Sequence, residues 1–190
     1  DILPFLDLKL NNGDERMRAH DIFTGVCLPD IFMEKVEARE DWVLFDPHEI
    51  RTIKGYSLED YFDEAKGAGT FRKKYEECVR DTRLSREVVP AIDLMKRIMK
   101  SQLETGVPFM FYRDEVNRSN TNKHQGMIYS SNLCTEIMQN MSATVFKSIA
   151  IEDDVIVTRK KPGDFVVCNL SSINLGKAVP DHVLERLIEI

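Results

Sequence analysis

The run Val107-Pro108-Phe109-Met110-Phe111-Tyr112 constrains the fold most, because it is short, nearly all apolar and bounded by breakers. Its length suits a fully buried strand, as in a parallel sheet, better than a helix. Just before it, Pro90 to Thr105 carries Ile92, Met95, Ile98, Met99 and Leu103 at helical spacing, and Gly106 supplies the stop. Strands separated by long helices point to an α/β architecture rather than a sandwich.

The rest of the chain reads as mixed α and β, without internal repeats. Phe5 to Leu10 alternates like a strand and is closed by the turn signal Asn11-Asn12-Gly13. Asp14 is placed to cap a helix running to about Val26, and a second helix starts after Leu28-Pro29. Trp42 to Phe45 reads as a strand stopped by Asp46-Pro47. Ser57, followed by Glu59 and Asp60, opens another helix, and Thr70 to Cys78 is a charged amphipathic one. Asp114 to Arg118 is a helical turn, followed by the polar loop Ser119 to Lys123. Gly126 to Tyr129 is expected to be extended. Thr144 to Ile149 and Val155 to Thr158 form a hairpin around Glu152-Asp153-Asp154, Pro162-Gly163 is a turn, and Asp164 to Leu170 reads as a second buried strand.

Composition narrows the functional classes. A net charge of −6 argues against a protein held mainly by nucleic-acid phosphate, and Arg72-Lys73-Lys74 and Arg159-Lys160-Lys161 read as solvated faces. No run approaches a membrane span. The four cysteines and four histidines show no metal-ligand spacing, and reduced cysteines in a cytosolic setting fit a chain of this size. The start at Asp1 shows no signal-peptide pattern, and the ends, Asp1-Ile2-Leu3-Pro4 and Leu187-Ile188-Glu189-Ile190, read as those of an excised piece of a longer chain. Residues 1–190 are read as a single partial domain.

The chemistry concentrates in Ser131-Asn132-Leu133-Cys134-Thr135-Glu136-Ile137. On an extended segment Asn132, Cys134 and Glu136 share one face; on a helix the thiol points away from the other two. A carboxylate beside a thiol raises the thiol's pKa, which does not suit an ordinary thiolate nucleophile. His124 sits in a polar loop with no nucleophile turn near Cys134, so hydrolysis fits poorly. One-electron chemistry at sulfur fits better, with the carboxylate taking a substrate proton and the amide holding a hydroxyl. From spacing alone, a strand end with a buried structural cysteine is the favoured reading, since a free cysteine is more often core than catalytic.

The wider sequence Asn122 to Ile137 closely resembles the active-site segment of the large, catalytic subunit of class I ribonucleotide reductases. Asp14-Glu15-Arg16, Leu28-Pro29-Asp30-Ile31-Phe32-Met33, Thr105-Gly106-Val107-Pro108-Phe109, Tyr112-Arg113-Asp114 with Asn117-Arg118, and Cys168-Asn169-Leu170-Ser171-Ser172-Ile173-Asn174-Leu175 agree in order. Leu133, where cobalamin-dependent relatives usually carry Pro, favours class I. The resemblance implies part of a ten-stranded α/β barrel with the radical cysteine on an inward finger loop. It implies reduction of ribonucleoside diphosphates to deoxyribonucleotides, with Cys134 as the thiyl radical that abstracts the 3′ hydrogen. Glu136 would take the 3′-hydroxyl proton, Asn132 would bond the sugar hydroxyls, and Ser130 and Ser131 would approach the substrate.

Cys168 corresponds to one half of the redox-active cysteine pair, whose partner would come from an earlier strand outside these residues. Cys27, whose local match is to a structural Leu-Pro-Asp segment, and Cys78 are read as core thiols. No cofactor is expected on this chain. A small β subunit with a di-iron or di-manganese centre would supply the radical, thioredoxin or glutaredoxin the electrons, and a second full-length α subunit a homodimer. The ATP and dNTP effector sites, the diphosphate loop and the radical-relay tyrosines fall mainly outside these residues, and the piece alone is expected to be inactive. A non-catalytic nucleotide-binding or interaction module on the same fold, and a glycyl-radical-like enzyme, are the alternatives.

Overall fold

The chain opens on a helix where its alternation suggests a strand: α1 spans Ile2–Asp7. Leu6 and Leu10, four apart, are buried, whereas the alternating Leu8 is 37% exposed. The helix ends before Leu8, so the period of two that Leu6, Leu8 and Leu10 suggest does not describe this stretch. The computed structural model describes residues 2–11 and 14–188, so part of the Asn11-Asn12-Gly13 turn lies outside the described residues. Asp14 does cap, accepting the Arg16 N–H at 3.0 Å, but only a 3₁₀ turn, Glu15–Met17, follows. The expected helix to Val26 is replaced by strand β1, Gly25–Leu28, which buries Val26 and Leu28 alternately.

Helix α2, Asp30–Ala38, begins after Pro29 as expected and buries Ile31 and Phe32. Strand β2, Asp41–Phe45, follows. Asp46-Pro47 both stops it and starts α3, Pro47–Lys54, with Pro at the first turn and the Asp46 carboxylate accepting the His48 N–H at 2.8 Å. Ser57 opens only a 3₁₀ turn, Leu58–Asp60, because its hydroxyl donates to Glu59 at 2.8 Å instead of capping. Helix α4, Thr70–Arg80, buries Phe71, Tyr75 and Cys78. Tyr75 stacks on Trp42 at 4.2 Å and its hydroxyl exchanges hydrogen bonds with both polar backbone groups of Val43. Cys78 is thus a core thiol, as expected. Arg72 is not on a solvated face: its guanidinium meets Glu34 at 2.7 Å and Asp63 at 3.4 Å.

Strand β3, Arg86–Pro90, pairs antiparallel with β2; its polar start hid it from the sequence. Helix α5, Ala91–Thr105, ends at left-handed Gly106 (φ 78°). Its buried residues are Ala91, Leu94, Ile98 and Ser101, so the core face is rotated from the expected one and Leu103 is 84% exposed. Strand β4, Phe109–Tyr112, pairs in parallel with β1, Val26 opposite Met110. Only Phe111 in it is fully buried. The main core joins Leu6, Val26, Leu28, Phe32, Leu94 and Ile98. Helix α6, Arg113–Ser119, follows directly, then a 3₁₀ turn at Lys123–Gln125.

These elements belong to the first of two compact units, Asp1–Ala143; the second is Thr144–Ile190. In the second, β5 (Val145–Glu152) and β6 (Val155–Lys161) form the expected antiparallel hairpin. Asp153 and Asp154 turn it with φ of 50° and 62°, the sign pattern of a type I′ turn. Arg159, Lys160 and Lys161 are exposed on β6. The expected strand at 164–170 does not form; the stretch is irregular, with Phe165 92% exposed. A strand exists through its ladder, and no neighbour pairs with this one. Short helices α7 (Leu175–Ala178) and α8 (Val183–Ile188) complete the unit. Among the described residues the sheets are three separate pairs, with no closed barrel. The α/β class stands.

Candidate functional site

A buried polar node seats the elements that lead to the motif. Asp114, at the start of α6, is fully buried and accepts the N–H of Asp30 at 2.5 Å and of Asp63 at 2.6 Å. The first bond satisfies an unpaired donor at the N-terminus of α2, from a residue 84 positions away. Arg118 on the same helix donates to the Asp63 carbonyl at 3.0 Å and to the Asp30 carboxylate at 2.8 Å. Asp63 is also fully buried; burial pushes its carboxyl up, while the Arg72 backbone N–H at 2.8 Å works in the other direction.

From α6 the chain passes through Gly126 into the motif. Asn132 and Glu136 come together: Asn132 Nδ2 donates to Glu136 Oε1 at 2.6 Å. The route differs from the expected one. Residues 132–136 form a tight turn rather than an extended segment, with the Thr135 N–H on the Asn132 carbonyl at 3.3 Å. Thr135 lies in the left-handed region (φ 67°), an uncommon place for a β-branched residue, and this reverses the chain just after Cys134. Asn132 Oδ1 accepts the Ile137 N–H at 3.0 Å, and the Asn132 N–H reaches the Ile137 carbonyl at 3.3 Å. The loop is thereby closed beneath an exposed Cys134. An exposed thiol at a turn apex, with a carboxylate held in position by an amide, is a site suited to moving hydrogen and protons.

Ser131 Oγ donates to the Asn132 carbonyl at 2.9 Å, which helps shape the turn, and Ser130 is exposed. Cys168 belongs to the second unit, exposed on the irregular stretch in place of the expected strand. Cys27 is not a core thiol: it points out between buried Val26 and Leu28, and Arg113 Nε approaches its sulfur at 3.2 Å. Strand parity would have found this, since two buried neighbours put the residue between them on the other face. The sequence also gave no role to Asn117, Asn120 and Asn140, which tie the base of the loop. Among the described residues no group of His, Cys, Asp and Glu could hold a metal ion, and no helix is long and apolar enough to cross a membrane.

The family model for the ribonucleotide reductase barrel domain matches residues 1–189. The chain belongs to the ribonucleotide reductase family. It is 50% identical over 182 residues to the ribonucleoside-diphosphate reductase subunit alpha of Treponema pallidum, covering 93% of this chain and 21% of that protein. It is 33% identical to the subunit of the same name from Helicobacter pylori strain J99, over all of this chain and 28% of that protein. To the large subunit of Dictyostelium discoideum it is 38% identical, over 96% of this chain and 18% of that protein. The chain therefore spans only a fifth to a quarter or so of the length of these relatives.

Proposed function

We propose that this chain carries the radical-bearing cysteine loop of a class I ribonucleoside-diphosphate reductase α subunit, which makes deoxyribonucleoside diphosphates for DNA synthesis. The observation that carries this is the Asn132–Glu136 bond at 2.6 Å, which joins the amide and the carboxylate that flank exposed Cys134 in sequence. In this reading a thiyl radical at Cys134 takes the 3′ hydrogen atom of the ribose, breaking C–H and forming S–H. Glu136 accepts the 3′-hydroxyl proton, and Asn132, with Ser130 and Ser131 nearby, orients the sugar. Cys168 and a cysteine outside these residues give up two electrons and become a disulfide as the 2′-hydroxyl leaves as water.

The thiyl radical arises through a small β subunit holding a di-iron or di-manganese centre, and thioredoxin or glutaredoxin restores the dithiol. The full-length subunit works as a homodimer in the cytoplasm, with ATP and dNTP effectors bound mainly outside residues 1–190. Both compact units belong to one partial domain of a ten-stranded barrel, in which β1 and β4 are neighbouring parallel strands. Alone, the 190-residue piece is inactive.

The test uses the full-length subunit with its radical-generating partner. Cys134→Ser abolishes deoxynucleotide formation and leaves nucleotide binding, measured by equilibrium dialysis, nearly unchanged. Turnover retained in that variant would overturn the assignment.

A further inference from the structure

The geometry points to Asn117 as a positioning residue for the Cys134 loop, its carboxamide standing in for a missing neighbour strand at the root of that loop. This rests on the function proposed above for Cys134, Asn132 and Glu136.

Asn117 lies on α6 and is 2% exposed. Its Oδ1 accepts the Ile128 N–H at 2.8 Å, and its Nδ2 donates to the Ile128 carbonyl at 3.1 Å. The second Nδ2 hydrogen goes to the Arg113 carbonyl at 2.9 Å, inside the same helix. One side chain thus serves both backbone groups of one residue, as a hydrogen-bonded partner in an antiparallel ladder does. Ile128 needs such a partner: it is 2% exposed, and residues 126–144 form no ladder. The carboxamide takes the place of a β-strand at one position only.

That position matters because the chain runs from Ile128 through Tyr129, Ser130 and Ser131 straight to Asn132. Slipping the hold by one residue would shift Asn132 along the chain by about 3.3 Å. Chemistry between positioned groups loses rate steeply with displacements of that size. The anchor itself is fixed, because Asp114 and Arg118 on α6 bind Asp30 and Asp63. A second tie lies just upstream on the loop. Asn140 Nδ2 donates to the Gly126 carbonyl at 2.7 Å, and Asn120 Nδ2 donates to Asn140 Oδ1 at 3.1 Å. These bonds join the outgoing and returning limbs, and Gly126 turns there with φ 109°, which favours glycine. Asn117 is buried and bonds only to backbone, so it acts through the loop and not on substrate.

The experiment uses the full-length subunit with its radical-generating partner and compares Asn117→Ala, Asn117→Asp and Asn140→Ala with the parent. Asn117→Asp keeps the acceptor for the Ile128 N–H but turns a carboxylate oxygen towards two carbonyls. Amide hydrogen exchange followed by mass spectrometry reads peptides across 127–137 and, as a control, α5. Both Asn117 variants are expected to exchange about tenfold faster or more at 127–137 while α5 stays unchanged. Turnover with a ribonucleoside diphosphate is expected to fall about 10- to 100-fold in kcat with KM nearly constant. Asn140→Ala gives a smaller change in the same direction, and serves with Asn117→Asp if Asn117→Ala does not fold. Unchanged exchange at 127–137 in a folded Asn117 variant, acceleration shared equally by α5, or faster exchange with intact kcat overturns the proposal. A parent protein that makes no deoxynucleotide overturns the functional reading instead, while the exchange data still decide whether Asn117 holds the loop.

Discussion

Asp114 and Glu136 are both carboxylates with a hydrogen bond of about the same length, 2.6 Å, yet one is fully buried and the other exposed. Asp114 takes backbone donors from residues distant in sequence, so its bonds define which elements meet. Glu136 takes one side-chain donor four residues away, and that bond defines only the shape of a turn. The node therefore carries stability, and the turn, in the function proposed above, would carry chemistry. An unmade bond in the node leaves buried donors stranded, whereas an unmade bond in the turn is replaced by water.

Substitutions separate the two roles. The largest expected effect is on rate: Glu136→Gln keeps shape and the Asn132 contact but removes the base, so turnover falls about a hundredfold or more. Its unfolding free energy, from urea denaturation, stays within about 0.5 kcal/mol of the parent's. A variant that unfolds early would show the turn to be structural after all. Next comes Asp114→Ala, which strands the N–H groups of Asp30 and Asp63 and costs about 3 kcal/mol, read by urea denaturation. A loss below about 1 kcal/mol would place the node's strength elsewhere.

The smallest effect sharpens the contrast by pH. Arg83, through its guanidinium and backbone N–H, and Lys54 hold the carboxyl of Asp81 well below the usual carboxylate range. With the folded pKa lowered, the contribution is present above the ordinary value of 3.8 and is lost as pH falls through the folded value. Asp81→Asn is expected to melt slightly below the parent at neutral pH, with the two converging in acid. A gap that widens in acid would reverse the sign of the linkage.

Much of the local structure was legible because its cause is local. Gly106 ends α5 by its own left-handed freedom, and the β5–β6 hairpin follows from alternation around Asp153-Asp154. The contact between Asn132 and Glu136 was not legible: an extended segment would hold them about 14 Å apart, and only the turn at Thr135 brings them to 2.6 Å. What else escaped depends on distant partners. Leu6 and Leu10 against Leu8 is decided by the core, and the rotation of the α5 face by what packs on Leu94 and Ile98. The stretch 164–170 has the composition of a strand without the neighbour that makes one. Asn117 entered only as part of the resemblance, without a role, because its partner is the backbone of Ile128, which has no sequence signature.

The parallel pairing of β1 with β4 sets the order in which the molecule can assemble. A hairpin such as β5–β6 closes within about 1–10 μs, since its strands are adjacent in the chain. The β1–β4 pair must close a far longer loop, and contacts of that kind form slowly. Helix α6 issues directly from β4, so Asp114 reaches Asp30, and Asn117 finds a fixed place from which to hold Ile128, only once that closure is made. Until that long-range contact is in place, the loop that carries Cys134 lacks its hold at Ile128, so its shape is settled late and from a distance.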